Sequence, residues 1–318
     1  MDNKVGKSGK MNKGSRILIV GHDDIIDSSL FCYFKANDYK NVFSSARYPL
    51  DTTCQEEVND FFEKQGPEYV FLASTRSGGI EANQKFGAEF IYHNLASQNN
   101  IIEASSLAKV KKLVFYGSSC VYPKVCHQPM KPEFILTGKM EETSEPYSIA
   151  KAAGIKMCQA YKRQYGLNAI VIIPATVYGP QSNTDIERAH VIGALINKFH
   201  CAVKDNSAEV VVWGTGKPRR EFIFADDLVR ASLFLMESYV GEEVVNVGTG
   251  SDITIKELAE KIAKVCGFTG KIVFDRTKPD GTMQKLLDNS RLKDLRFDFE
   301  VGLEEGLRKT YKWFLKNR

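Results

Sequence analysis

Three things are scarce in this sequence, and each scarcity narrows the reading. The Lys-, Gly- and Ser-rich start, Met1 to Gly14, contains no apolar run. It therefore reads as a flexible tail, neither a signal peptide nor a membrane span, and the chain is expected to be cytoplasmic with no membrane partner. The seven cysteines, Cys32, Cys54, Cys120, Cys126, Cys158, Cys201 and Cys266, are odd in number, irregularly spaced and without a CxxC pair. That spacing argues against structural zinc or any other metal, and fits free thiols in a reducing compartment. Charge of one sign is also scarce, with a net +4 from 43 basic and 39 acidic residues. Such a balance gives no footing for nucleic acid but leaves small acidic ligands open. Repeats and low-complexity tracts are missing too.

What is present is ordinary for a folded globular chain: 43% hydrophobic and 26% charged residues over a length of 318. That length exceeds a typical single domain and suits one large domain with a smaller lobe. Arg16 to Val20 is a short apolar run ending at Gly21, followed by aspartates and an amphipathic stretch from Ser28 to Asn37, a buried strand turning into a helix. Apolar runs recur at Tyr69 to Ala73, Lys112 to Gly117, Ala169 to Ile173 and Glu243 to Val247, separated by segments of helical period at Glu89 to Ala108 and Pro146 to Tyr165. Strands alternating with helices predict an α/β, doubly wound parallel sheet of the Rossmann kind, with ligands beyond the carboxyl ends of the strands. The expected division is a tail at 1–14, a dinucleotide-binding core at 15–180 to which 221–250 returns, and a smaller substrate-binding lobe from 181–220 and 251–318. The lobe should hold helices at about His190 to His200 and Ile255 to Cys266, with a strand at Val210 to Trp213.

Tyr147 and Lys151 form a Y-x-x-x-K pair one helical turn apart, so both project from one face of the Pro146 to Tyr165 helix. An ammonium beside a phenol favours the phenolate and makes Tyr147 a usable acid/base for carbonyl reduction. Upstream, the strand Leu113 to Tyr116 runs into Gly117-Ser118-Ser119-Cys120, which places hydroxyls at a carboxyl-terminal strand edge. Ser, Tyr and Lys in that order, after a first strand ending in glycine, form the short-chain dehydrogenase/reductase constellation.

Longer blocks sharpen this. Gly117-Ser-Ser-Cys-Val-Tyr-Pro-Lys124, Glu145-Pro-Tyr-Ser-Ile-Ala-Lys-Ala-Ala-Gly-Ile-Lys156, Ala189-His-Val-Ile-Gly-Ala-Leu-Ile196, Val212-Trp-Gly-Thr-Gly-Lys-Pro-Arg-Arg-Glu-Phe222 and Lys278-Pro-Asp-Gly-Thr-Met-Gln-Lys-Leu-Leu-Asp288 resemble the GDP-L-fucose synthases, extended short-chain dehydrogenase/reductases, from about Arg16 to the C-terminus. The resemblance implies epimerisation of GDP-4-keto-6-deoxy-mannose at C3 and C5, then reduction of the C4 ketone by NADPH. Both epimerised carbons lie α to the ketone, so their protons are acidified through an enolate whose oxygen Tyr147, Ser118 or Ser119 could serve as donors. Cys120 and His190 match the family's acid/base pair. The ordinary pKa values of a thiol and an imidazole lie within about two units of each other.

By the same resemblance, Gly21, Arg47, Gly117, Lys151, Pro174, Val177 and His190 fall at cofactor positions, and Lys198, Trp213, Arg220 and Asp280 at substrate positions, with Lys285 secondary. Arg219 reads as ordinary surface charge. A homodimer is expected by analogy. Arg47, with no acidic residue at the end of the second strand, favours NADP over NAD.

The pattern departs from the family where it is most diagnostic. Gly-x-x-Gly-x-x-Gly has become Gly21-His-Asp-Asp24-Ile-Ile-Asp27, so carboxylates stand where glycines would admit a diphosphate. Two unit charges ~4 Å apart repel by about 4 kcal/mol at an effective dielectric near 20. Thr176 also replaces an Asn in Pro174-Ala-Thr-Val-Tyr-Gly-Pro180, and the segment 181–189 has lost its asparagine-rich character. Alongside the complete NADPH-dependent enzyme, two alternatives stand: an epimerase-only or altered-substrate GDP-keto-sugar enzyme, such as a reductase on a GDP-keto-heptose, and a non-catalytic protein that binds a nucleotide-sugar or a partner.

Overall fold

The computed structural model describes residues 10–22, 24–48, 50–73, 76–182, 189–278 and 280–317. Most of the expected tail, Asp23, and 183–188 of the altered segment before His190 lie outside the described residues.

The strands, in chain order, are β1 Arg16–Val20, β2 Asn41–Ser44, β3 Tyr69–Leu72, β4 Lys112–Tyr116, β5 Ala169–Pro174, β6 Thr176–Tyr178, β7 Glu209–Trp213, β8 Arg219–Phe224, β9 Val245–Val247, β10 Asp252–Thr254, β11 Lys271–Asp275 and β12 Gln284–Lys285. The helices are α1 Ile25–Ala36, α2 Gln55–Gln65, α3 Ile80–Lys85, α4 Gly87–Leu107, α5 Glu145–Tyr165, α6 Val191–Lys204, α7 Ala225–Ser238, α8 Ile255–Cys266, α9 Ser290–Asp294 and α10 Leu303–Lys316.

Six strands form one parallel sheet in the order β2-β1-β3-β4-β5-β9. Its central strands read as continuous apolar runs because both faces are covered: Ile17 to Val20, Tyr69 to Leu72 and Leu113 to Tyr116 are all at most 2% exposed. The order reverses between β1 and β3, so their carboxyl ends open the crevice in which doubly wound folds bind ligands. This is the predicted architecture.

A second cluster of buried side chains, including Tyr178, Phe199, Phe222, Leu258, Ile262 and Phe314, lies under α6, α8 and α10. Helix α8 is well specified locally: Thr254 and Glu257 make a reciprocal capping box at its start, and Gly267, at φ +79°, closes its end. A small sheet joins this region to the crevice. β8 pairs with β10, β12 and β6, setting Lys285 in register with Arg220 and Val177 with Ile223. Residues far apart in sequence are thereby delivered to one edge.

Candidate active site

A cavity of about 470 Å³ opens at the carboxyl ends of the main sheet, a size suited to a small ligand. Its wall contains Gly117, Ser118, Ser119, Cys120, Tyr147, Pro174, Val177, His190, Trp213, Arg220, Asp280 and Lys285. The loop after β4, the first turns of α5, the end of β5, β6, the start of α6 and the small sheet thus converge on one space. An adjoining cavity, also of about 470 Å³, shares Asp24, Val177 and His190 and adds His22, Arg76 and Glu89.

Cys120 sits in a short 3-10 turn whose preceding residue, Ser118, accepts from the Cys120 amide at 3.2 Å. The Lys285 ammonium lies 3.4 Å from its sulfur. Burial works to raise the thiol pKa, but the Lys285 charge and donors from Ser118, Lys285 and Ser144 outweigh it, leaving Cys120 below the ordinary thiol value. His190 is the residue before the first turn of α6, exposed and facing both cavities.

Tyr147 is 8% exposed and lines the cavity. Lys151, one turn on, is 1% exposed, donates to the Tyr116 carbonyl at 3.1 Å and lies over the Phe115 ring. Burial pulls its pKa down to about 7. Its helix face is packed against β4 rather than solvated, so the Y-x-x-x-K pair is an interior one.

Among the expected substrate residues, Arg220 is half-buried in the cavity wall, with Nη1 donating to the Arg219 carbonyl at 2.8 Å. Arg219 is instead paired with Asp252 at 2.8 Å, the structural role its neighbour escapes. Trp213 is exposed at the rim, flanked by the ammonium groups of Lys198 and Lys278. Lys198 donates to the Val211 carbonyl at 3.1 Å and does not line the main cavity. The Asp280 carboxylate accepts from both the amide and the hydroxyl of Thr215 at 2.7 Å, which ties down the Gly214 to Gly216 turn beside the cavity. Glu141, which spacing gave no reason to select, also lines the cavity, pairing with Lys124 and accepting from Thr282. Ser144, a donor to Cys120, was equally invisible because it follows no motif.

Residues 17–248 match the NAD dependent epimerase/dehydratase family. A probable GDP-L-fucose synthase 1 from Oryza sativa subsp. japonica is 47% identical over 96% of this chain and 94% of its own length. The chain belongs to the GDP-L-fucose synthase family. Two solved structures from the wider group, both from Campylobacter jejuni, superpose closely. One is a GDP-6-OMe-4-keto-L-xylo-heptose reductase, with a TM-score of 0.91, 34% identity and coverage of 98% of this chain and 100% of that one. The other is a GDP-mannoheptose C4 reductase with NADP bound, with a TM-score of 0.87, 35% identity and coverage of 96% and 99%.

For the dinucleotide that this family's name and fold imply, the fit is divided. The nicotinamide end is furnished: Tyr147, Pro174, Val177 and His190 face the main cavity, with Lys151 buried behind it. The diphosphate end is occupied by the chain's own carboxylates. Asp24 is the N-cap of α1 and Asp27 its third residue, and the two side chains form a reciprocal capping box. Gly21, which would let a phosphate approach, has its missing Cβ position filled instead by Asp27, whose Cγ lies 2.2 Å from where that Cβ would be. Arg47 follows β2 as expected, exposed, with its guanidinium over the Phe31 ring.

Proposed function

We propose that this protein converts GDP-4-keto-6-deoxy-D-mannose to GDP-L-fucose, or a close relative of that pair, by epimerisation at C3 and C5 and NADPH-dependent reduction at C4. The observation that carries this reading is the convergence, on one cavity wall, of Cys120, His190, Tyr147 and Arg220 from four separate segments of the chain. A nucleotide-sugar binder without chemistry has no use for a thiol held below its ordinary pKa on the same cavity wall as an imidazole and a phenol.

In this reading Arg220 holds the GDP diphosphate with bidentate donors, while Trp213 at the rim offers a face for the base. Cys120, kept toward thiolate by Lys285, takes the proton from a carbon α to the ketone, and His190 exchanges a proton from the other side. Tyr147 donates to the ketone oxygen as enolate character develops, assisted by the hydroxyls of Ser118 and Ser119. Lys151, buried one helical turn from Tyr147, favours the phenolate of that residue. NADPH, when bound, supplies the hydride for C4. The core (15–180 with 221–250) and the substrate lobe (181–220 with 251–318), the homodimer and the cytoplasmic setting belong to the same proposal.

The test is incubation with GDP-4-keto-6-deoxy-mannose in deuterated water, with and without NADPH, followed by NMR at C3, C5 and C4. Deuterium at C3 and C5 together with NADPH-dependent loss of the ketone is the expected result. Exchange without reduction would move the assignment to an epimerase. Neither would remove the substrate.

A further inference from the structure

The start of α1 is closed by the chain itself. The amide of Asp24 donates to Asp27 Oδ1 at 2.8 Å, the amide of Ile25 to Asp24 Oδ1 at 2.7 Å, and the amide of Asp27 to the Asp24 side chain. These are the unpaired donors at a helix N-terminus that a diphosphate needs. The strand end before them is committed as well: Gly21 donates to Ser45 Oγ at 2.9 Å and accepts from it at 2.8 Å.

Gly21 also shows what the loop is built for. It does not need glycine for its backbone angle, since its φ lies outside the left-handed region, but any Cβ there would overlap Asp27, which is 2% exposed. The close approach that a glycine at this turn ordinarily offers a phosphate has been given to a carboxylate of the protein. Asp27 is therefore seated and packed, not a bulky residue leaning over an open site, and Asp24 reaches the wall of both cavities.

Resting on the function proposed above, we infer that the Asp24–Asp27 capping box is an internal anion occupying the diphosphate seat, and that NADPH binds only in competition with it. Binding the dinucleotide requires both carboxylates to leave the helix start, so the chain gives up its own capping interactions before it gains those of the cofactor. The groups that meet the keto-sugar, on the β4 loop, α5, α6 and the small sheet, take no part in the box. The two halves of the site are thus set to different affinities.

Two quantities should move in opposite directions when the box is removed. Asp24→Gly with Asp27→Gly should bind NADPH at least tenfold more tightly by calorimetry, because the amides and the space beside Gly21 become available, while its melting temperature falls through loss of the caps. A folded double variant with unchanged or weaker NADPH affinity overturns the inference. Should that variant not fold, Asp24→Asn with Asp27→Asn keeps polar caps but removes both charges. An NADPH affinity at least threefold above the parent supports the competition, and an unchanged one overturns it. GDP titrated into the unmodified chain keeps the two readings apart: failure to bind GDP removes the proposed function, while the NADPH comparison still decides the box.

Discussion

The Lys285 ammonium stands 3.4 Å from the sulfur of Cys120, and it reaches that position because β12 pairs with β8 in the register that sets Lys285 beside Arg220. Cys120 is therefore held at a positively charged edge of the cavity rather than in an apolar one. A thiol destined only for packing would be raised by its burial. This one is brought down in spite of it.

The sign of the resulting pH dependence follows directly. Lys285 favours the thiolate, so removing it should raise the pKa of Cys120 and shift the rising limb of solvent-deuterium exchange to higher pH. Lys285→Met is expected to move that limb measurably upward in pH. Lys285→Arg should restore most of the parental profile. A purely structural lysine would lower the exchange rate equally at every pH.

Much of this arrangement was legible in the chain, for a physical reason: the main sheet is buried on both faces, so its strands announce themselves as apolar runs. Boundaries set by polar contacts were not. The first helix, read as starting at Ser28, begins at Ile25, because the aspartates taken for loop are its cap. The signal was Asp24-x-x-Asp27, which has the spacing of a capping box. The resemblance puts Lys198 at a substrate position, and the contact of its ammonium with the Val211 carbonyl is one that only the fold reveals. Glu141 lies just ahead of α5, where no periodicity or spacing marks it.

Arg220 is the cavity cation best placed for a diphosphate, since Arg219 is already paired with Asp252. Arg220→Ala should weaken GDP binding more than tenfold by calorimetry, because a charge-assisted bidentate contact is among the stronger polar interactions. Arg219→Ala should change GDP affinity far less. Equal losses in the two variants would mean that the diphosphate is not read by Arg220 in particular.

Gly154, in the middle of α5, is a packing requirement rather than a weakness. A Cβ there would lie 2.4 Å from Phe115 Cζ and 2.7 Å from Gln98 Oε1, both in the interior between α5, β4 and α4. Gly154→Ala gains about 1 kcal/mol in helix propensity but forces the helix that carries Tyr147 and Lys151 away from the sheet. The expected balance is a net destabilisation, with overpacking costing about 1–3 kcal/mol, seen as a lower denaturant midpoint. A stability gain would show that α5 can shift without cost.

Inverting a carbon needs a proton removed from one side and returned on the other, so loss of either acid/base group should stop inversion even where the rest of the site is intact. Cys120→Ser exchanges a thiol for a hydroxyl that is several pKa units less acidic, and His190→Asn substitutes an amide that does not titrate. Both substitutions are close in size, and neither side chain is buried in either core cluster, so circular dichroism and melting should stay near the parent. Deuterium incorporation at C3 and C5 is expected to fall at least a hundredfold in each variant, within the range general acid–base catalysis contributes. GDP affinity should change little, which separates lost chemistry from lost binding. If both variants exchange at the parental rate, the cavity's proton transfers belong to other groups, and Cys120 and His190 are no more than parts of its wall.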